Sequence, residues 1–372
     1  MADLPRVRIV DETMREGMQI EDAAIPTARK VELLDALSTT GLRHLVIGSF
    51  VSPKWVPQMA DVEEVLSRFA PVSGVDYTAL VLNEKGAERR AKYVPPLTVD
   101  TRPRLTGHAC DVFAQRNTNR TQAQEINGWA GVVVKAREAG TTTATVRLGA
   151  AFGSNWTGDV AVADGLSLLD RMVRTWRDAG IAVDTVWLGD PMGWTSPLRV
   201  EEYVHAIRAR WPEIRTIHLH LHDQRGAALV SAWAALRAMP ADMTLVIDAA
   251  VGGIGGCPYC GNGRATGMIS TEDLVDLLEE SGLNTGVDRD RLIEVALLAA
   301  EIVGRPLHGR IPLAGPRPRG ARLYPMDMPF VETIEEAAHF RLGPAAYAGR
   351  RSPWKAPITS AQRDAVELQE IR

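Results

Sequence analysis

Thr216-Ile-His-Leu-His-Leu-His-Asp223 is the stretch on which the reading of this chain turns. Ile217, Leu219 and Leu221 alternate strictly with His218, His220 and His222. A period of two is that of a β-strand, so the three imidazoles share one face. The bland account of such a ladder is a solvated or core face. Three histidines closing an apolar strand beside Asp223 favour metal binding instead, since two imidazoles two residues apart at a strand end can grip one ion.

Working outward, the same strand signal recurs. Runs at Arg6–Thr13, Leu42–Phe50, Asp76–Leu82, Arg104–Val112, Thr142–Phe152 and Thr185–Asp190 precede the histidine strand, and Leu245–Val251 follows it. Helical patterns fall between them. One opens at Pro26 and carries Val31, Leu33, Leu34 and Leu37 on one face. Others cover Ala87–Lys92, Gln122–Ala139, Val160–Ala179, Val200–Arg210, Ala227–Met239 and Thr271–Glu280. Eight strands alternating with helices predict an α/β fold of the TIM (β/α)8 barrel type rather than an open doubly wound sheet. Residues 1–304 form the expected barrel domain. Residues 305–372 begin rich in Pro, Gly and Arg and read as a connector and C-terminal extension, with two terminal helices at Glu332–Phe340 and Ser360–Ile371. The extension is not expected to be needed for the barrel to fold.

The chain of 372 residues is 45% hydrophobic and 24% charged, ordinary for a globular protein with a sizeable core. A net charge of −4 offers no basic footprint for nucleic acid. No apolar run has the length of a transmembrane helix, and MADLPRVRIV lacks a signal-peptide layout, so a cytoplasmic protein is expected. Three cysteines, Cys110, Cys257 and Cys260, argue against a disulfide scaffold.

In a barrel, chemistry gathers at the C-terminal strand ends. Arg15-Glu16, Asp190, His220, His222 and the glycine-rich loop after the eighth strand all fall there by sequence. Glu16 is the natural carboxylate to join the two histidines. Two imidazoles and one oxygen leave positions open for substrate, a catalytic arrangement. Arg15 beside it suits a developing oxyanion. Taken alone, that pair is also an ordinary surface ion pair. The loop Gly252–Gly263 reads as mobile, presenting Cys257 as an acid or base. Two rival readings stand beside this one: Gly-Gly-Ile-Gly-Gly as a phosphate cradle, and Cys257-Pro-Tyr-Cys260 as a redox or zinc pair.

Several segments resemble 3-hydroxy-3-methylglutaryl-CoA lyase, a member of the DRE-TIM metallolyases. Arg15-Glu-Gly-Met-Gln19 is similar to its first motif, and Ser49-Phe-Val-Ser-Pro-Lys-Trp-Val-Pro-Gln-Met-Ala-Asp61 looks like a family signature. Asp111–Asn119, Leu188-Gly-Asp190, His220-Leu-His-Asp223, Val251–Tyr259, Thr271-Glu-Asp273 and Thr285-Gly-Val287 follow in family order. The match covers roughly residues 6–304. It implies a divalent cation held by Glu16, His220 and His222, with Mg2+ or Mn2+ ahead of Zn2+ or Co2+. It implies catalytic roles for Arg15, Cys257 and Asp190, an acidic residue at Asp11, and His220 or Asp190 as base. The lyases usually carry Asp at position 16. The family's asparagine ligand is Met268 here, with Asn262 a possible substitute, and its strand-two glutamate is Val46. Its Cys-Pro-Tyr-Glu after strand five is Ser154-Asn-Trp-Thr157, and Ile20 replaces an asparagine after Gln19.

The expected function is carbon–carbon cleavage of a 3-hydroxy acid or its CoA thioester by retro-aldol or retro-Claisen chemistry. The expected working form is a homodimer, with neither nucleic acid nor membrane as partner. Asp11, Gln19, Val46, Asn155, Asn262 and Met268 are the candidates to line the pocket. A condensing synthase, an iron oxygenase with the same ligand types, and a non-catalytic member are the alternatives.

Overall fold

β1 (Arg6–Asp11), β2 (His44–Ser49), β3 (Asp76–Leu80) and β4 (Arg104–His108) supply half of one parallel sheet. β5 (Thr143–Gly149), β6 (Ala182–Asp190), β7 (Thr216–Leu221) and β8 (Thr244–Ala249) supply the other half. The structure, a computed structural model, describes residues 4–99, 102–257 and 267–320. The strand order is 3-2-1-8-7-6-5-4, the circular order of a (β/α)8 barrel read from its β3/β4 seam. At that seam Tyr77 of β3 makes a parallel bridge to Leu97, seven residues ahead of β4.

Pairing is in register where the site will lie. Thr244 to Ile247 of β8 match Thr216 to Leu219 of β7, and Arg6 to Asp11 of β1 match Thr244 to Ala249. The alternation read from the histidine strand holds. Ile217, Leu219 and Leu221 are fully buried in the main core with Val204, Ile207, Ala232 and Ala235 from the helices Pro197–Arg210 and Ala228–Ala238. The imidazoles therefore face the lumen.

The structure revises several boundaries. The fourth strand stops at His108 rather than Val112, because Cys110 caps a new helix, Asp111–Thr118, its Sγ accepting from Phe113 N at 3.4 Å. The fifth stops at Gly149, and a small hairpin pairs Gly153–Ser154 with Gly158–Asp159. Helices Val62–Arg68 and Arg289–Val303 add to those expected. The compact barrel unit runs to His308, four residues beyond Gly304. A Cβ on Gly252 would meet the Leu307 side chain, and His308 N donates to Gly252 O at 2.9 Å, so this connector start belongs to the barrel. In the second unit, Ile311–Ala314 is a short helix. The two expected terminal helices lie outside the described residues.

Candidate active site

The first part of the site is a turn. Asp11 ends β1 fully buried, its Oδ1 accepting from Thr13 N at 3.0 Å and its Oδ2 from the Thr271 hydroxyl at 2.7 Å. Burial lifts this carboxyl to about 6 against those hydrogen bonds. Asp11 is thus an anchor between the β1 end and the helix Thr271–Glu280. Thr13–Gly17 then form one wide helical turn that aims Arg15 and Glu16 at the lumen. Arg15 Nε donates to Glu12 Oε2 at 2.7 Å, and its Nη1 to Glu16 Oε2. Burial opposes the guanidinium charge, but the two carboxylates hold it firmly cationic.

The second part is the wall of β7 and β8. Asp248 stands one residue past the Ile247–Leu219 pair and divides the histidine ladder. Its Oδ1 accepts from His218 Nε2 at 2.6 Å and its Oδ2 from His220 Nδ1 at 2.8 Å. With Nδ1 occupied, His220 has only Nε2 left to offer a metal. Glu16, His220 and His222 are all buried, and each presents a ligand atom within 4.8 Å of the others. His222 Nε2 lies 3.7 Å from Glu16 Oε1, and His222 Nδ1 is buried without a partner among the described residues.

Charge states suit the same reading. Burial drives the His222 imidazole down to about 3, with His220 adding to the effect, so the ring is neutral. Burial alone would raise Glu16, but Arg15, His220 and His222 hold it below the usual glutamate range. A neutral imidazole, an ionised carboxylate and a second imidazole fixed by a carboxylate form a donor set that fits a divalent cation. Burial alone would lower His220, yet its bond to Asp248 raises it when no cation is bound.

The other expected residues are more scattered. Asp190 is fully buried at the end of β6, its oxygens accepting from Trp194 N at 3.0 Å and Thr195 N at 2.6 Å. It stabilises that turn, and burial still raises it to about 6. Asp190 O also accepts from His222 N at 3.3 Å, so it adjoins the ligand strand through the backbone. Cys257 is not presented openly: it is 7% exposed in a small apolar cluster with Cys110, Phe113, Ala150 and Met192. Met268 is buried beside the site, its backbone bridged to His222. Val46 lies half-buried on β2, paired with Thr78, and Gln19 is half-buried after the turn. Asn155 is exposed in the small hairpin, away from any of these hydrogen bonds. Asn262 and Cys260 lie outside the described residues.

The glycine run has a packing role. Gly252 N donates to both Glu272 oxygens, at 3.0 and 2.9 Å. A Cβ on Gly255 would come within 3.0 Å of the Glu16 backbone, and one on Gly17 would strike Ile254. These glycines seat the loop on the turn rather than framing a phosphate.

Sequence reasoning missed Glu12, Asp248, Trp187, Arg147 and Glu272. Asp248 left a signal, a lone charge inside the apolar run Leu245–Val251. Trp187, whose ring stacks on that of His220, and Arg147, whose guanidinium lies over the indole, left none, since their partners come from neighbouring strands.

The HMGL-like family model matches residues 6–298. The mitochondrial hydroxymethylglutaryl-CoA lyase of Gallus gallus is 31% identical over 318 residues, 84% of this chain and 98% of that protein. The (R)-citramalyl-CoA lyase of Chloroflexus aurantiacus is 33% identical over 325 residues, 83% of this chain and 95% of that one. Among solved structures, an HMG-CoA lyase from Acinetobacter baumannii in complex with coenzyme A and 3-methylmalate superposes with a TM-score of 0.68 at 30% identity. That match covers 88% of this chain and 98% of the other. With its barrel topology and its carboxylate–imidazole cluster, this chain therefore belongs to the HMGL-like family of metal-dependent carbon–carbon lyases.

Proposed function

We propose that this chain cleaves a 3-hydroxyacyl-CoA thioester, with Glu16, His220 and His222 holding Mg2+ or Mn2+. The observation that carries the reading is the convergence of those three ligand atoms within 4.8 Å, with Arg15 bonded to Glu16. The relatives' names and the coenzyme A complex of the bacterial neighbour support the thioester. When bound, a divalent cation there would supply Lewis acidity to the substrate. Met268, whose thioether is a poor donor to such a hard ion, would not add to the three ligands.

The residues then divide the work. His220 has both nitrogens committed, so Asp190 is the base for the hydroxyl proton, its raised pKa of about 6 keeping it basic near neutrality. As the carbon–carbon bond breaks, its electrons form an enolate, and Arg15 faces the developing oxygen. Cys257 gives its proton to the enolate carbon, and the proton held by Asp190 restores the thiol through solvent. No net proton is consumed.

Metal analysis and turnover of wild type beside His222→Ala test this reading. The variant is expected to lose bound metal and more than about a thousandfold in kcat/KM, because a Lewis acid contributes several kcal/mol to such a transition state. Equal metal content in the two proteins would remove these residues as ligands.

A further inference from the structure

Resting on the proposed metal site, we infer that Trp187 is a positioning residue that fixes the ring plane of His220. The bond from His220 Nδ1 to Asp248 sets the tautomer but not the plane. Rotation about the terminal torsion of a histidine is soft, so the ring can swing about a single hydrogen bond. A flat surface against the imidazole removes that freedom, and Trp187 supplies one. Its ring lies 5.3 Å from the His220 ring, centroid to centroid, and 28° from parallel. The Arg147 guanidinium also stands over the indole, 4.0 Å from its centroid. Arg147, Trp187 and His220 thus form one contiguous column across β5, β6 and β7, in which Arg147 pairs with Trp187 along the ladder.

The backbone is shaped for this column. Gly189, two residues beyond Trp187 on the same lumen face, pairs with His220 in the β6–β7 register. A Cβ on Gly189 would overlap the six-membered ring of Trp187. The six-membered ring of the indole therefore occupies the space that a side chain at 189 would need, beside His220. Any larger residue at 189 lifts it away. Burial and Arg104 lower the Arg147 guanidinium to about 9, which still leaves it charged at neutral pH to press on the indole face.

Calorimetric titration of Mn2+ alone into the full-length protein tests the inference. Trp187→Leu keeps an apolar side chain but no ring face, and is expected to bind about tenfold more weakly, the effect typical of a lost partner behind a metal ligand. Trp187→Phe restores a face and is expected to bind within about threefold of wild type. Gly189→Ala, which keeps the indole but displaces it, is expected to weaken binding as Trp187→Leu does. Thermal melts of the metal-free proteins separate a folding defect, which leaves Trp187→Leu and Trp187→Phe equally weak, from the positioning effect, which separates them. Wild-type affinity in both Trp187→Leu and Gly189→Ala, with His222→Ala failing to bind, would overturn this inference alone. Binding by His222→Ala equal to wild type would sink the metal reading itself.

Discussion

Glu16 and Cys257 serve one proposed reaction from opposite surroundings. Glu16 sits among Arg15, His220 and His222, with Glu12 and Asp248 behind them, so most of its neighbours are charged or polar. Among the described residues Cys257 sits with Cys110, Phe113, Ala150 and Met192 in an apolar cluster. The contrast follows from what each must do. A cation site needs fixed charge and set tautomers, and each member is held by another. A group that hands a proton to a carbanion gains from a dry pocket, because water would quench the same intermediate.

Cys257→Ser probes the dry side most severely. A hydroxyl is a far weaker acid than a thiol, so a loss of about 10² to 10⁴ in kcat is expected, with metal content and melting temperature unchanged. Cys110→Ser, in the same cluster, is expected to keep most activity. Equal losses in both would make the cluster a packing unit and erase the contrast.

Selectivity is a finer probe. Val46 and Met268 replace polar groups with apolar ones, so a bulkier or more apolar group at the 3-position is expected to be favoured over methylglutaryl. One lost polar partner corresponds to about ten- to a hundredfold. Comparing kcat/KM along a series of 3-hydroxyacyl-CoAs measures this. A methylglutaryl thioester that beats every larger analogue contradicts it.

The pH profile is the gentlest probe. Asp190 must be ionised to accept a proton, and burial sets its pKa near 6. Activity is therefore expected to be full above about pH 7 and to fall roughly tenfold per unit below about 6. A profile flat from pH 5 to 8 would leave Asp190 only its turn-holding role.

The polar wall was more legible in the sequence than the dry one, for a physical reason. His220 and His222 share a strand face through local periodicity, and Arg15-Glu16 follow a strand end directly, so sequence spacing alone brings them to one rim. The strand order of the barrel was legible for the same reason, as a repeated alternation. The pocket around Cys257 was not, because its walls come from the starts of three separate loops. The end of β4 was misplaced because Cys110-Asp-Val reads as apolar continuation, while the cap on Phe113 N is visible only in three dimensions. Asp248 and Trp187 act across the ladder on His220; the lone charge of Asp248 in its apolar run marked the residue but not its partner, and Trp187 carried no mark at all.

Gly255 couples the two environments. A Cβ there would stand 3.0 Å from the Glu16 backbone, at a φ of +103° that side chains rarely adopt, and one on Gly17 would strike the Ile254 side chain. Two residues later the chain reaches Cys257. The carboxylate proposed to hold the cation and the thiol proposed to protonate the enolate therefore hang from one closely packed joint. Substitutions at 17 and 255 are expected to interact non-additively, and neither segment can change its backbone course unless the other changes with it. The first motif and the cysteine loop are thus expected to tolerate backbone change only together, although about 240 residues of chain separate them.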